Sequence, residues 1–138
     1  MTVETNRKIE GLVVFLGGAI GGLFRYLLSF VPVIGEWPLT TMLINWLGAF
    51  LLAFLGAYLI RKMERPAYWQ SFLGTGIMGG FTTFGTMILQ TFHLSLHQPF
   101  LAFSYLFLSL FGGLALVLAG QWTAQAVLNP NQKGVSHA

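Results

Sequence analysis

Residues 74–86 read GTGIMGGFTTFGT, and this stretch decides the fold because it interrupts an otherwise apolar segment. It contains five glycines and four threonines in 13 positions. Glycine permits backbone conformations that an α-helix excludes. Unwound backbone at membrane depth is tolerated only inside protein or beside a polar cavity. We therefore predict a transmembrane helix that is broken near its middle, the arrangement in which transport proteins place ion sites.

The composition around this stretch is that of an integral membrane protein. Of the 138 residues, 55% are hydrophobic and 8% are charged, whereas a soluble domain has about 25% charged residues. No Asp, Glu, Lys or Arg occurs in the 67 residues between Arg65 and Lys133. The chain has no cysteine, which excludes disulfides and thiolate metal sites. The net charge of +3 gives no reason to expect a nucleic-acid partner, because loops on the cytoplasmic side of membrane proteins are commonly basic.

The apolar segments predict four transmembrane helices in a single domain that comprises residues 1–138. They fall at about 10–31, 38–60, 68–93 and 98–128, and each reaches the ~20 residues that cross the hydrocarbon core. We therefore expect an all-α, multi-pass protein of the cell membrane. His93 and His97 are expected in the loop after the third span, and we expect no metal site there.

The positive charges are distributed unevenly between the two sides of the membrane. With four spans, both termini and the 61–67 connection share one side. That side carries Arg7, Lys8, Arg61, Lys62, Arg65 and Lys133. Toward the other side only Arg25 is found, near the end of the first span. The positive-inside rule then predicts that the N and C termini are cytoplasmic.

Few polar side chains lie within the predicted spans. Arg25 either snorkels to the interface, anchors backbone carbonyls or attracts anions into a vestibule. Asn45 either makes an interhelical hydrogen bond or belongs to an ion path. Tyr105 and Ser109 are four residues apart and share one face of the fourth helix. Most of these groups are hydrogen-bond donors, which suits an anion that is bound weakly at several sites.

The sequence also limits the class of function. No Ser-His-Asp, Cys-His or paired-carboxylate constellation is present, so we expect no enzyme. One alternative function for a protein with an ion site in its spans is that of a small multidrug-type proton-coupled exporter. Such an exporter needs a carboxylate in the first span, and Glu10 precedes the core of that span. A membrane scaffold would explain the GxxxG pairs of residues 17–22 by helix packing, but not the broken helix together with Asn45.

Three motifs resemble those of the CrcB/Fluc fluoride channels. They are Gly17-Gly18-x-x-Gly21-Gly22-x-x-Arg25-Tyr26, Pro38-x-x-Thr41-x-x-x-Asn45-x-x-Gly48-x-Phe50 and Gly74-Thr75-Gly76-x-x-Gly79-Gly80-Phe81-Thr82-Thr83-Phe84. The resemblance covers about residues 10–128. It implies a passive channel that exports fluoride across the cell membrane and lowers its toxicity. It also implies an antiparallel dimer with two pores between the subunits.

The resemblance further implies roles for individual residues. The backbone carbonyls of Gly79 and Thr82 would bind a structural sodium ion at the centre of the dimer, and Arg25 would lie in the vestibule. The fluoride pore would be formed by Phe84, Asn45, Thr83, Tyr105, Ser109, Met87 and Phe81. Met87 stands where the family has a second phenylalanine, and Gly85 stands where it has a serine.

The charge bias affects how such a dimer would form. A homodimer of antiparallel subunits must insert in both orientations, which requires little bias of Lys and Arg. Because this chain is strongly biased, we expect it to insert one way and to pair with a homologous, oppositely oriented subunit; a homodimer is the alternative. In either case the expected partners are the fluoride ion, the second subunit and membrane lipid.

Overall fold

The structure is a computed structural model that describes residues 6–31, 37–64 and 66–130. Its elements, in chain order, are α1 (Arg7–Leu28), α2 (Leu39–Lys62), α3 (Pro66–Trp69), a π-helical segment (Gln70–Met78), α4 (Gly79–Phe81), α5 (Phe84–His97) and α6 (Pro99–Leu128). Four stretches are long and apolar enough to cross a membrane: α1, α2, α6 and the composite third span, Ala67–His97. The prediction of an all-α protein with four spans is confirmed.

The third span is interrupted near its middle, as predicted. Its first half comprises α3, the π-helical segment and α4, and its second half is α5. Between the halves, Thr82 (φ −79°, ψ 158°) and Thr83 (φ −147°, ψ 115°) are extended. The first half ends where the Thr82 backbone N–H and hydroxyl both donate to the Met78 carbonyl, at 2.9 and 2.8 Å. The second half begins with the Thr83 hydroxyl as N-cap, which accepts from the Thr86 N–H at 3.2 Å.

The π-helical segment was not predicted from the sequence. Its nine residues exceed the single turn that is usual for π-helical geometry, which is often found at functional sites. At its end the Gly79 N–H donates to the Gly74 carbonyl, five residues earlier. Gly74 and Gly76 are buried within it, and their lack of side chains leaves room for neighbouring backbone.

The first half of the third span packs closely against α1 through glycines on both helices. A Cβ atom on Gly76 would lie 2.9 Å from the Gly17 Cα, and one on Gly80 would overlap the Gly18 carbonyl oxygen. A Cβ on Gly21 would overlap the Ile77 carbonyl oxygen. The GxxxG pairs of α1 therefore serve helix packing, which brings two backbones into direct contact.

The second half of the third span has a different neighbour. α5 packs mainly on α6, and α6 packs along α2. A buried cluster of Met42, Met87 and Tyr105 joins α2, α5 and α6. On α6, Gly112 makes room for the ring of Trp46, whose Nε1 donates to the Ser109 carbonyl at 3.2 Å. The break thus transfers the third span from α1 to α6.

The end of the third span corrects one expectation. His93 and His97 were predicted to lie in a loop, but both lie in α5, which continues to His97. Only Gln98 separates α5 from α6, and Pro99 is the first residue of α6. Proline at the first helical position is favourable because its missing N–H needs no partner there. The proline therefore marks a helix start rather than a long loop.

The contacts of α1 predict that alanine substitutions at two adjacent glycines, Gly21 and Gly22, will differ in their effect on stability. The Gly21→Ala variant should lower the free energy of unfolding by roughly 1–3 kcal/mol, because its methyl group would overlap the backbone of the third span. The Gly22→Ala variant is the matched control, since nothing lies within 4 Å of a Cβ at that position. Thermal unfolding in detergent, followed by size-exclusion chromatography, measures both. Equal midpoints for the two variants would contradict the packing described here.

Candidate functional site

The break in the third span is held by Asn45 of α2. The Asn45 Nδ2 donates to the Thr83 carbonyl at 2.9 Å, and the Thr83 N–H donates to the Asn45 Oδ1 at 2.8 Å. One side-chain amide thus satisfies both polar groups of an unwound residue, which could not be left unpaired within a membrane. The interhelical bond considered for Asn45 is present. The second N–H of its amide takes no part in this pair.

Arg25 reaches the same break from α1. Its Nη1 donates to the Thr82 carbonyl at 3.3 Å, and the side chain is half-buried. Arg25 lies in the last turn of α1, where a cation is favoured by the helix dipole. Of the alternatives that the sequence left open for this residue, the anchor for a backbone carbonyl is present. Two neighbouring helices therefore bind the two consecutive carbonyls of the break.

The pairing of Thr83 also releases a carbonyl in the first half of the span. In an unbroken α-helix, the Thr83 N–H would donate to the Gly79 carbonyl four residues earlier. Here that N–H donates to Asn45 instead. Gly79 is exposed, and nothing lies within 4 Å of a Cβ built on it. The Gly79 carbonyl thus loses its helical donor, as do the other carbonyls of this last turn, and the Thr82 carbonyl accepts from Arg25.

A cleft of about 320 Å³ lies beside the break, and we call it the central cleft. It brings five of the predicted pore residues together. They are Asn45, Thr83, Phe84, Met87 and Ser109; the other lining residues are Gly48, Ala49, Leu52, Thr82, Leu110 and Gly113. None of these lining side chains is ionisable. Gly48 is required at this point, since a Cβ there would overlap the methyl group of Thr82.

Ser109 supplies a donor beside the central cleft. The residue is 5% exposed, and its hydroxyl has no hydrogen-bond partner in the part of the chain that the structure describes. An unpaired buried hydroxyl costs about 1–3 kcal/mol. Such a group is expected to meet a ligand or a water molecule, and Ser109 lines the same cleft as Asn45 of α2.

The aromatic and methionine positions of the predicted pore differ in their surroundings. Phe84 is 69% exposed at the first turn of α5, whereas Met87 is 4% exposed within the cluster formed with Met42 and Tyr105. Phe81 is 7% exposed, contacts the Gly48 position and is not among the residues that line the cleft. Phe81 is thus a packing residue of the described chain rather than a lining residue.

Tyr105 and Ser109, which were predicted to share one polar face of α6, have different surroundings. Ser109 and Gly113 line the central cleft, but Tyr105 is fully buried and its hydroxyl donates to the Gln90 Oε1 at 3.0 Å. Gln90 was missed by the sequence analysis. Its only signal was a polar side chain four residues after Thr86 in an apolar segment, which places the two on one face of α5.

A second cavity of about 550 Å³, the vestibule, adjoins the first at Thr83. It lies between α1, α2 and α5, and Arg25, Thr41, Thr86 and Gln90 line it. Arg25 thus lines this cavity, and its role at the entrance of an ion path stays a prediction. No three His, Cys, Asp or Glu side chains of residues 6–31, 37–64 and 66–130 are grouped so that they could bind a metal ion.

Comparison with known proteins identifies the family of the chain. The family model described as "CrcB-like protein, Camphor Resistance (CrcB)" matches residues 12–121. Over 128 residues the chain is 34% identical to the fluoride-specific ion channel FluC 2 of Halalkalibacterium halodurans, which covers 92% of this chain and 94% of the relative. The identity to FluC 2 of Bacillus subtilis is 37% over 120 residues, covering 87% and 91%.

The chain is also similar to a relative named FluC 1 rather than FluC 2. The chain is 44% identical over 108 residues to the fluoride-specific ion channel FluC 1 of Lactiplantibacillus plantarum, which covers 75% of this chain and 89% of the relative. The family match includes the α1 glycines, Asn45, the broken third span and the cleft-lining part of α6. The chain belongs to the CrcB family.

Proposed function

We propose that the protein is a passive, fluoride-selective channel subunit that exports fluoride across the cell membrane. The observation that carries the proposal is the central cleft, where Asn45 and Ser109 offer donors and no lining residue is ionisable. The relatives named fluoride-specific ion channel FluC support the same function. Nothing in this mechanism requires a catalytic step.

The cleft has the chemistry that a small, hard anion requires. Fluoride loses part of its hydration shell on entering a narrow path, and donors must replace the lost water. The second N–H of Asn45 and the hydroxyl of Ser109 are such donors. The ring edge of Phe84 adds a weakly positive surface. Because no cation lines the cleft, fluoride is bound weakly enough to leave it, as conduction demands.

Arg25 would act at the entrance rather than in the cleft. Its charge lies in the vestibule and attracts anions. Its bond to the Thr82 carbonyl orients the break that forms the cleft wall. The permanent cation thus lines the vestibule and does not line the central cleft.

The exposed residues near the break support a dimer. Phe84 and Gly79 lie on the surface of the single chain. A second subunit in the opposite orientation would cover them and would bring its own Phe84 to the cleft. We propose such an antiparallel dimer, in which each pore is completed by the partner.

The carbonyls of Gly79 and Thr82 fit a sodium site on the axis of this dimer. The Gly79 oxygen has lost its helical donor to Asn45, and the Thr82 oxygen keeps a lone pair beside its bond to Arg25. Carbonyls of unwound transmembrane backbone bind sodium in transporters. Sodium bound there would supply positive charge that holds the carbonyls of two subunits together.

The charge distribution supports one-way insertion, with both termini in the cytoplasm. Among the described residues, Arg7, Lys8, Arg61 and Lys62 lie at the same end of the bundle. Arg65 and Lys133 lie outside the described residues. Relatives named FluC 1 and FluC 2 fit a pair of related chains. We propose that the partner is such a chain in the opposite orientation.

Fluoride release from proteoliposomes tests the function. We expect an electrode to record fluoride release without chloride release, insensitive to a proton gradient, from vesicles that hold this chain and a related chain of opposite orientation. Vesicles without protein are the control. Absence of fluoride release from every preparation would contradict the channel. Drug-driven proton flux would instead indicate a multidrug exporter.

The same assay tests the proposed pairing. If the chain inserts one way, vesicles made from cells that express it alone should release fluoride far more slowly than vesicles that hold both chains. Equal rates from the single chain and from the pair would contradict the heterodimer and establish a homodimer.

Substitution of Asn45 tests its place at the ion path. The Asn45→Asp variant keeps the acceptor for the Thr83 N–H, loses the donor to the Thr83 carbonyl and adds a negative charge. We expect fluoride flux to fall at least about tenfold, since a like charge at the path costs more than 1.4 kcal/mol. The thermal midpoint of the variant is measured beside its flux, so that the effect of the lost bond to Thr83 is separated from that of the charge. Unchanged flux in Asn45→Asp would remove Asn45 from the pore.

Phe84 and Met87 should differ in what their substitution affects. Phe84→Ile removes an exposed ring and should lower fluoride flux or selectivity, with little change in thermal stability. Met87→Ile changes a buried side chain and should cost less than about 1.5 kcal/mol of stability, with little change in flux. Flux and thermal midpoint are measured for both. Equal losses of flux would show that Met87 also serves the ion site.

A further inference from the structure

A third cavity lies at the end of the bundle that carries the α2–α3 connection. It has a volume of about 600 Å³ and lies between α2, the π-helical segment and α6. Its lining residues are Leu52, Ala53, Gly56, Ala57, Leu59, Ile60, Gln70, Gly74, Gln121 and Gln125. We call it the glutamine cleft, because its only polar side chains are three glutamines.

The three glutamines reach the cleft from two elements. Gln121 and Gln125 are four residues apart on one face of α6, and Gln70 begins the π-helical segment. All three side chains are exposed, and within the described ranges their amides make no hydrogen bond to another residue. Each amide offers two donors. The cleft therefore presents several unused N–H groups to whatever enters it.

The position of the glutamine cleft connects it to the proposed ion path. Leu52 lines both this cleft and the central cleft, so the two clefts adjoin at this side chain. Arg61 and Lys62 follow directly after the lining residues Leu59 and Ile60, and both cations are exposed. An anion that approaches this end of the bundle thus meets positive charge first and neutral donors next.

Two carboxylates lie at this end of the bundle, and the first, Glu64, is exposed in the α2–α3 connection beyond Lys62. The second, Glu10, lines a neighbouring cavity, which shares Leu52, Gln70 and Gly74 with the glutamine cleft. It accepts a hydrogen bond from the Ser71 hydroxyl at 2.8 Å and does not line the glutamine cleft. Gln121 and Gln125 line only the glutamine cleft, whereas Glu10 lines only the neighbouring cavity.

We propose that the glutamine cleft is a second anion-binding mouth, at the end of the path opposite the vestibule. This inference rests on the proposed function. The amides of Gln121, Gln125 and Gln70 replace part of the hydration shell of a small, hard anion before it passes Leu52. Neutral amides suit this step because they donate hydrogen bonds without retaining the anion as a cation would.

Isosteric substitution distinguishes this role from plain hydration of a helix end. Gln121→Glu and Gln125→Glu keep the side-chain shape but place a negative charge at the mouth. We expect fluoride efflux from proteoliposomes to fall about threefold to tenfold, in the range that one lost hydrogen bond represents. The loss should be partly reversed at high ionic strength, where charges on the surface are screened. Gln121→Leu, which removes the donors without adding charge, should show a smaller loss that salt does not reverse.

Thr123→Val is the matched control on α6. Its hydroxyl donates to the Ala119 carbonyl at 2.7 Å and does not line the cleft, so its removal should leave efflux unchanged. Wild-type efflux in both Glu variants would overturn the proposal, because a hydrated helix end tolerates Glu as well as Gln. If wild-type protein itself fails to release fluoride, the proposed function fails instead. The two failures are thus distinguishable.

Discussion

The structure depends on one constraint: backbone groups that leave a helix inside a membrane need partners from the protein. The unwound residues Thr82 and Thr83 meet this requirement with three helices. Asn45 pairs with both polar groups of Thr83, Arg25 binds the Thr82 carbonyl, and the Thr82 N–H and hydroxyl return to Met78. Since each unpaired group would cost several kcal/mol in hydrocarbon, the break is stable only because these partners are in place.

The break also explains how the third span packs against two different helices, α1 and α6. Its first half is packed against α1 by contacts between glycines, which leave no space for side chains. Its second half packs on α6 through Met87 and Tyr105. A straight, continuous helix could not make both sets of contacts, those with α1 and those with α6. The change of direction at Thr82 and Thr83 leaves the central cleft between α2, α5 and α6, so the same deviation that needs extra hydrogen bonds creates the candidate site.

Much of this arrangement could be predicted from the sequence. The glycines and threonines of residues 74–86 predicted the break, and apolar length predicted four spans. The partner of Asn45 could not be predicted, because spacing indicates a face of a helix but not the neighbour of that face. For the same reason Tyr105 was expected in the pore and is found bonded to Gln90. Phe81 was expected there too, although it fills the space beside Gly48. The π-helical geometry left no signal, since a glycine-rich segment has no side-chain periodicity that would reveal it.

The pairing of Asn45 with Thr83 can be measured directly in a lipid bilayer. Solid-state NMR of protein labelled with ¹⁵N in asparagine and ¹³C in threonine reports both the contact and the backbone conformation. The account predicts a through-space correlation between the Asn45 Nδ2 and the Thr83 carbonyl carbon, together with extended chemical shifts at Thr82 and Thr83. Helical shifts at both threonines, without that correlation, would contradict it.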